Sequence, residues 1–257
     1  MLLAIDVGNT NTVLGLFKDR EIVAHWRIQT NPAQMADELA ASLKGLFSID
    51  GLSFSEITGV IIASVVPQSQ SAWQEMSVKH FSIKPMRVSQ LPDTGLKILM
   101  DNPSEVGADR IVNSLAGYDR YKTSLIIVDL GTAITFDCVS GKGEYLGGAI
   151  TPGLSISLEA LGMRTAKLPR VDISIPPVTA IGKNTIDAIK SGILFGYGGM
   201  IEELVKKIRE EMLPDVPKVI ATGGMAGLIA PFAPSIEAVL PMLTLDGLRL
   251  LYERNIS

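Results

Sequence analysis

The sequence predicts an α/β protein built from two copies of one unit, and three observations carry that expectation. The phrase Asp6-Val7-Gly8-Asn9-Thr10 follows the apolar run Leu2 to Ile5, and Asp129-Leu130-Gly131-Thr132-Ala133 follows Leu125 to Val128. The two aspartates stand 123 positions apart in a chain of 257 residues, close to half its length. Behind each phrase the apolar patterning gives the same order of elements, β-β-β-α-β-α. Each phrase puts a carboxylate, a glycine and hydroxyl or amide residues where a strand ends and a tight turn begins. Backbone N–H groups bared by such a turn converge on an anion, and the carboxylate can hold a cation beside it. Two such turns facing each other would clamp a nucleotide triphosphate.

In the first half, Leu2 to Ile5 and Val13 to Phe17 read as strands on either side of the first phrase, and Lys18-Asp19-Arg20 is a polar turn into a third, Ile22 to Arg27. A helix is expected from Ala33 to Phe47, where Met35, Leu39, Leu43 and Leu46 recur at helical spacing. Gly59 to Val66 is a nearly continuous, β-branched apolar run, as suits a strand covered on both faces. Pro67 ends it, and a helix from Gln68 to His80 leads to a short strand, Met86 to Val88. The second half repeats the order with strands at Leu125 to Val128, Ala133 to Val139 and Tyr145 to Ile150. Helices follow at Leu154 to Leu161 and Thr185 to Glu211, then the strand Lys218 to Thr222, a helix opened by Thr222-Gly223-Gly224, and a last helix ending near Glu253. No low-complexity linker separates the halves, which divide at 1–118 and 119–257.

Composition narrows the function. Hydrophobic residues make up 47% of the chain and mean hydropathy is +0.30, enough for a substantial core. A net charge of −4 and a pI near 5.3 lack the basic footprint of a nucleic-acid binder. Anionic ligands must then be held locally, by amides, metal ions or a single arginine. The lone Cys138 cannot form an internal disulfide, and two histidines make no zinc constellation. No targeting segment is visible and the longest apolar stretches fall well short of the roughly 18 residues of a membrane span, so a cytoplasmic chain without membrane contact is expected.

Neither common nucleotide motif occurs: Gly182-Lys183 lacks the upstream glycine of a P-loop, and no G-x-G-x-x-G follows a strand. Phosphate binding falls to the hairpin turns. The paired phrases, their spacing and the order of elements resemble the actin, hexokinase and Hsp70 class of phosphotransferases. That likeness implies two duplicated ribonuclease H-like (actin-like ATPase) domains, each a mixed five-stranded sheet with flanking helices. Within this class the chain resembles the type III pantothenate kinases. The residues that carry the resemblance are Asp6 to Thr12, Asn102 to Arg110, Asp129 to Ala133, Gly147 to Gly153, Arg164 to Pro169, Asn184-Thr185, Thr222-Gly223-Gly224 and Leu251 to Asn255. They run through essentially the whole chain.

The resemblance implies ATP-dependent phosphorylation of pantothenate to 4'-phosphopantothenate, the first step of coenzyme A synthesis. It assigns ATP to Asp6, Val7, Gly8, Asn9, Thr10, Asn11, Thr12 and Val13, with Thr132 reaching a phosphate. Asp6 would hold Mg2+ through water, and Asp129 a monovalent cation, K+ or NH4+. Pantothenate falls to Met100, Gly107, Ala108, Asp109, Arg110 and Thr185, with Asp109 as the proton acceptor. Taken alone, an Asp-Arg pair at a helix start reads as readily as a capping feature, and Thr185 reads as an N-cap. Because phosphoryl transfer usually has a loose transition state, Asp109 is expected to orient the hydroxyl and accept its proton late. Arg110 would pair with the substrate carboxylate or steady Asp109. Met100 departs from the family pattern, which favours an aromatic residue there; methionine supplies apolar contact without a hydroxyl. Gly223 and Gly224 would let the chain approach adenosine, or simply form a strand-to-helix turn. Gly192, Gly196 and Gly199 permit close approach of another element, and a homodimer contact through that helix is expected. Two other readings stay open: a non-catalytic nucleotide-binding regulator of the Bvg accessory factor type, and a related small-molecule kinase.

Overall fold

The computed structural model of the protein describes residues 1–91, 93–165 and 168–256. Ala166 and Lys167, inside the Arg164 to Pro169 segment, lie outside the described residues. By contact the chain divides into two compact units, one of Met1–Lys97, Asn102–Ala116 and Leu243–Ser257, the other of Ile98–Asp101 and Gly117–Met242.

In the first unit β1 (Leu2–Val7), β2 (Asn11–Lys18), β3 (Glu21–Gln29), β4 (Gly59–Ser64) and β5 (Met86–Arg87) form one sheet in the order β3-β2-β1-β4-β5. β1 is antiparallel to β2 and parallel to β4, so the central strand has mixed neighbours. One face carries Leu3, Ile5, Val7, Leu14 and Leu16, buried under α1 (Ala36–Ile49) and α2 (Pro67–Met76) through Leu39, Leu43, Phe47, Trp73 and Met76. The helix expected from Ala33 starts at Ala36, where Glu38 Oε2 accepts from the Met35 N–H at 2.8 Å. α2 takes Pro67 as its first residue, a position that needs no N–H. Its expected last turn widens into a π-helical turn, Ser77–Phe81, stopped by Ser82 at φ 59°.

The other face of this sheet is covered by α7 (Leu243–Asn255), which approaches closely at two glycines. A β-carbon on Gly15 would lie 2.8 Å from Leu245 Cδ1, and one on Gly59 would strike the Tyr252 ring. Covering on both faces explains why β1 and β4 read as continuous apolar runs. It also explains why the last helix, which a division at residue 118 leaves with the second half, packs in the first unit. α3 (Ala108–Tyr121) runs across the contact division between Ala116 and Gly117.

The second sheet is β11-β10-β7-β8-β9-β6, formed by β6 (Lys97–Ile98), β7 (Leu125–Leu130), β8 (Ala133–Val139), β9 (Glu144–Pro152), β10 (Lys218–Thr222) and β11 (Ala238–Val239), and all of it from Ile98 on belongs to the second unit. Strands β7 to β11 repeat the pairing of β1 to β5. The expected five strands become six because β6 joins the free edge of β9, where the Leu99 N–H donates to Tyr145 O at 2.8 Å. A two-residue strand has no alternation to read in the sequence. α4 (Leu154–Arg164), α5 (Thr185–Glu211) and α6 (Ala226–Ile229) complete the unit. Leu194, Ile201 and Val205 of α5 bury Ile126, Val128, Leu130, Ile134 and Phe136.

Phe47 stacks on Trp26 at 4.9 Å and meets Phe54 edge-on at 5.1 Å, joining α1 to β3 and the following loop. Phe47→Ala is expected to lower the unfolding free energy by about 3–5 kcal/mol, measured by urea denaturation followed by tryptophan fluorescence.

Candidate active site

The first hairpin begins where the buried run Leu3 to Ile5 meets Asp6, which is half-buried and stands opposite Val13 on β2 and Ala63 on β4. The Gly8 N–H donates to Asn11 O at 3.1 Å and closes the turn, leaving Asn9 and Thr10 exposed between them. A β-carbon on Gly8 would sit 2.9 Å from that same oxygen, so the closing bond requires glycine. Val7 faces the core, which leaves only its backbone to a ligand. Thr12 is also turned inward: its hydroxyl lies 2.9 Å from that of Thr30, whose own hydroxyl donates to Gly8 O at 2.8 Å. Of the predicted stretch Asp6 to Val13, the exposed tip and the half-buried Asp6, Gly8, Asn11 and Val13 face outward enough to meet a ligand.

The second hairpin repeats this geometry. Asp129 is half-buried, opposite Thr135 on β8 and Thr222 on β10, and the Gly131 N–H donates to Ala133 O at 3.1 Å. The turn is one residue shorter, with Thr132 alone between the bonded pair. Gly223, at φ +90°, passes beside the carboxylate: a β-carbon there would lie 2.5 Å from Asp129 Oδ1 and 2.7 Å from the Leu130 backbone. The Thr222 hydroxyl donates to Leu240 O at 2.8 Å, and the Met225 N–H to Leu130 O at 3.2 Å, fixing this wall. Gly223 thus makes room for Asp129, a role the sequence reading of close approach to adenosine did not contain.

Spacing also missed Asp137, which is fully buried and accepts from Thr135 Oγ1 at 2.9 Å and Tyr145 OH at 2.8 Å. Thr135 is thereby held on the strand position opposite Asp129. A carboxylate inside the apolar run of β8, two residues from a threonine, is the signal that could have found it.

Asp109 is the second residue of α3, as expected, and half-buried. Its Oδ1 accepts from the Arg110 N–H at 2.9 Å, so the carboxylate lies over the first turn. A β-carbon on Gly107 would stand 2.5 Å from that oxygen, which explains the glycine just before the helix. Ahead of it, Asn102 Oδ1 accepts from the Ser104 N–H at 3.2 Å and anchors the turn Pro103–Glu105. In the second unit Met100 Sδ lies 3.1 Å from where a Gly147 β-carbon would be, so the methionine rests against bare backbone of β9. Thr185 is not the N-cap of α5. Asn184 fills that position, its Oδ1 accepting from the Asp187 N–H at 2.9 Å and its Nδ2 donating to Asp187 Oδ2 at 2.7 Å. The exposed Thr185 side chain is therefore released from capping.

The first unit therefore carries Asp6 with its hairpin and Asp109 with Arg110, and the second carries Asp129, Thr132, Met100 and Thr185. Because Gly223 combines a left-handed conformation with contact to Asp129, Gly223→Ala is expected to destabilise the fold by about 1–3 kcal/mol, read from the midpoint of thermal or urea unfolding.

The sequence profile of the type III pantothenate kinase family matches residues 2–207. A type III pantothenate kinase of Geobacter sulfurreducens is 52% identical over 255 residues, covering 99% of both chains, and one of Geotalea daltonii is 50% identical over the same span and coverage. Among solved structures, a Baf family chain of Campylobacter jejuni superposes with a TM-score of 0.63 at 16% identity, over 99% of this chain and 98% of that one. A polyphosphate/ATP-glucomannokinase of Arthrobacter superposes at 0.53 with 12% identity, over 98% of each. At such identities these two bear on the fold alone, and the whole-length relatives decide the family: the chain belongs to the type III pantothenate kinases and is a kinase.

Proposed function

We propose that the chain transfers the γ-phosphoryl group of ATP to the primary hydroxyl of pantothenate, giving 4'-phosphopantothenate at the start of coenzyme A synthesis. The observation that carries this reading is the pair of half-buried strand-end aspartates, each followed by a hairpin closed by the same glycine N–H bond at 3.1 Å. The halves 1–118 and 119–257 are then two copies of one nucleotide-binding unit.

Family membership implies ATP and Mg2+. The described residues contain no group of three or more His, Cys, Asp or Glu able to hold a metal ion. That suits Mg2+ held by one carboxylate, Asp6, with water and phosphate oxygens completing its shell. When bound, the ion supplies neutralisation of phosphate charge. A monovalent cation, K+ or NH4+, is assigned to the half-buried Asp129 carboxylate, which stands opposite Thr135 and Thr222 on the neighbouring strands.

The chain's own groups do the rest. The backbone amides of the exposed Asn9 and Thr10, with Gly8, Asn11 and Val13 beside them, hold the phosphates, and Thr132 is the second hairpin's contact with ATP. Arg110 pairs with the pantothenate carboxylate, and Gly107 and Ala108 bring backbone close to it. Met100 gives apolar contact and Thr185 a hydroxyl. Asp109 orients the substrate hydroxyl: its oxygen bonds to the γ-phosphorus, the bond to the ADP oxygen breaks, and the proton passes to the carboxylate late. The homodimer reading is supported by α5, where β-carbons on Gly192, Gly196 and Gly199 would meet nothing within 4 Å and Phe195 is exposed. Among the described residues no helix is long and apolar enough to cross a membrane; a cytoplasmic location is part of the proposal.

ADP release separates the readings when measured with pantothenate, a sugar panel or no acceptor, each with K+ or Na+. Turnover with pantothenate that needs K+ is expected. Turnover with a sugar instead would indicate another small-molecule kinase, and none with any acceptor a regulator. Asp109→Asn is expected to lower kcat about 100-fold or more, whereas a loss below about tenfold would assign Asp109 to binding or capping. Light scattering at micromolar concentration should give twice the 27.5 kDa chain mass, and a monomer mass would remove the dimer.

A further inference from the structure

We propose that Thr30, just past the end of β3, is a positioning residue that presets the first hairpin for the nucleotide phosphates. The inference rests on the reading of that hairpin as the phosphate cradle. Thr30 touches it at three points: its N–H donates to Thr10 O at 3.0 Å, its hydroxyl donates to Gly8 O at 2.8 Å, and Thr12 Oγ1 lies 2.9 Å from that hydroxyl. A hydroxyl has one proton. Thr30 directs its own to Gly8, so the proton between the two hydroxyls belongs to Thr12. The chain of bonds therefore runs Thr12 to Thr30 to Gly8, with a fixed direction.

The brace is sheltered. Thr12 is 1% exposed and Thr30 9%. The crevice beneath them, which also touches Asn31, Gln34, Ser69 and Trp73, is too narrow for a water molecule. The bonded ends of the turn are thus held from inside while Asn9 and Thr10 stay exposed.

The second copy supplies an independent comparison. The residue 123 positions after Thr30 is Gly153, and its N–H donates to Thr132 O at 3.1 Å, as that of Thr30 does to Thr10 O. A β-carbon on Gly153 would lie 2.5 Å from Gly131 O and would also strike Thr132 O. The shorter second turn thus sits directly on the backbone just past the end of β9. The first turn is longer by one residue, and there the Thr30 side chain is accommodated with its hydroxyl on Gly8 O, the counterpart of Gly131 O. Backbone contact braces one hairpin and a hydroxyl braces the other.

A residue that merely fills space at position 30 would work as well without its hydroxyl, which makes valine the discriminating change. Thr30→Val is expected to raise KM for ATP and Kd for ADP about tenfold, while KM for pantothenate stays within about twofold of wild type. Thr30→Ser keeps the hydroxyl and should hold both nucleotide constants within about twofold of wild type. Nucleotide constants unchanged in Thr30→Val, or equal losses for ATP and pantothenate, overturn the inference while leaving the cradle reading in place. A wild-type chain that binds no ADP in calorimetry overturns the cradle reading and the inference together. If Thr30→Val does not melt cooperatively, Thr30→Ala takes its place, and failure of both to fold assigns Thr30 to stability and overturns the positioning role.

Discussion

Both halves of the structure depend on one contact, the N–H of a glycine closing a hairpin two residues after an aspartate. With Gly8 bonded to Asn11 and Gly131 to Ala133, the register of each central strand against its antiparallel neighbour is set. Asp6 and Asp129 then occupy the last-but-one position of their strands, half-buried between Ile5 and Val7 or Val128 and Leu130, all of which are buried. A slip of one residue would turn each carboxylate into an apolar core and bring Ile5 or Val128 out of it. Two well-packed cores thus oppose any displacement of the charged groups.

The duplication preserves this frame and varies what surrounds it. Pairing order, the closing bond and the bond from just past the third strand to the hairpin carbonyl recur, with donors 123 positions apart and acceptors 122, as the shorter second turn requires. The turn lengths differ, and so do the walls: a threonine hydroxyl supports the first hairpin, and glycine backbone supports the second. Beside Asp129 the chain adds a second close approach, Gly223, where the carboxylate and the Leu130 backbone leave no room for a side chain. Ala63 holds the position on β4 that Thr222 holds on β10. A frame that repeats with different linings can give its two carboxylates different work.

Much of this was legible along the chain. α5 and β10 lie where the sequence puts them, because α5 is a long run that starts beside the asparagine cap Asn184 and β10 is a buried apolar strand ended by glycines. Asp109 falls in the first turn of α3, since an apolar helical pattern begins two residues later. Other features were not legible. The strands Lys97–Ile98 and Ala238–Val239 are too short for any periodicity and exist through their neighbours. The cap of α5 is Asn184 rather than Thr185, a choice made by reach to Asp187 that residue preference alone leaves open.

By itself the sequence determined the duplicated α/β frame, the placing of Asp6, Asp129 and Asp109 at element ends, and the family. These follow from local patterning and short motifs, which a one-dimensional string preserves. Only the tertiary structure decided which residues hold those groups in place: Thr30 under Gly8, Gly153 under Thr132, Gly223 beside Asp129, and Asp137 with Tyr145 behind Thr135. The first three are contacts between residues far apart in sequence, and all are set by strand register and by how closely two backbones can approach. Neither hydrophobic period nor residue type records such a distance.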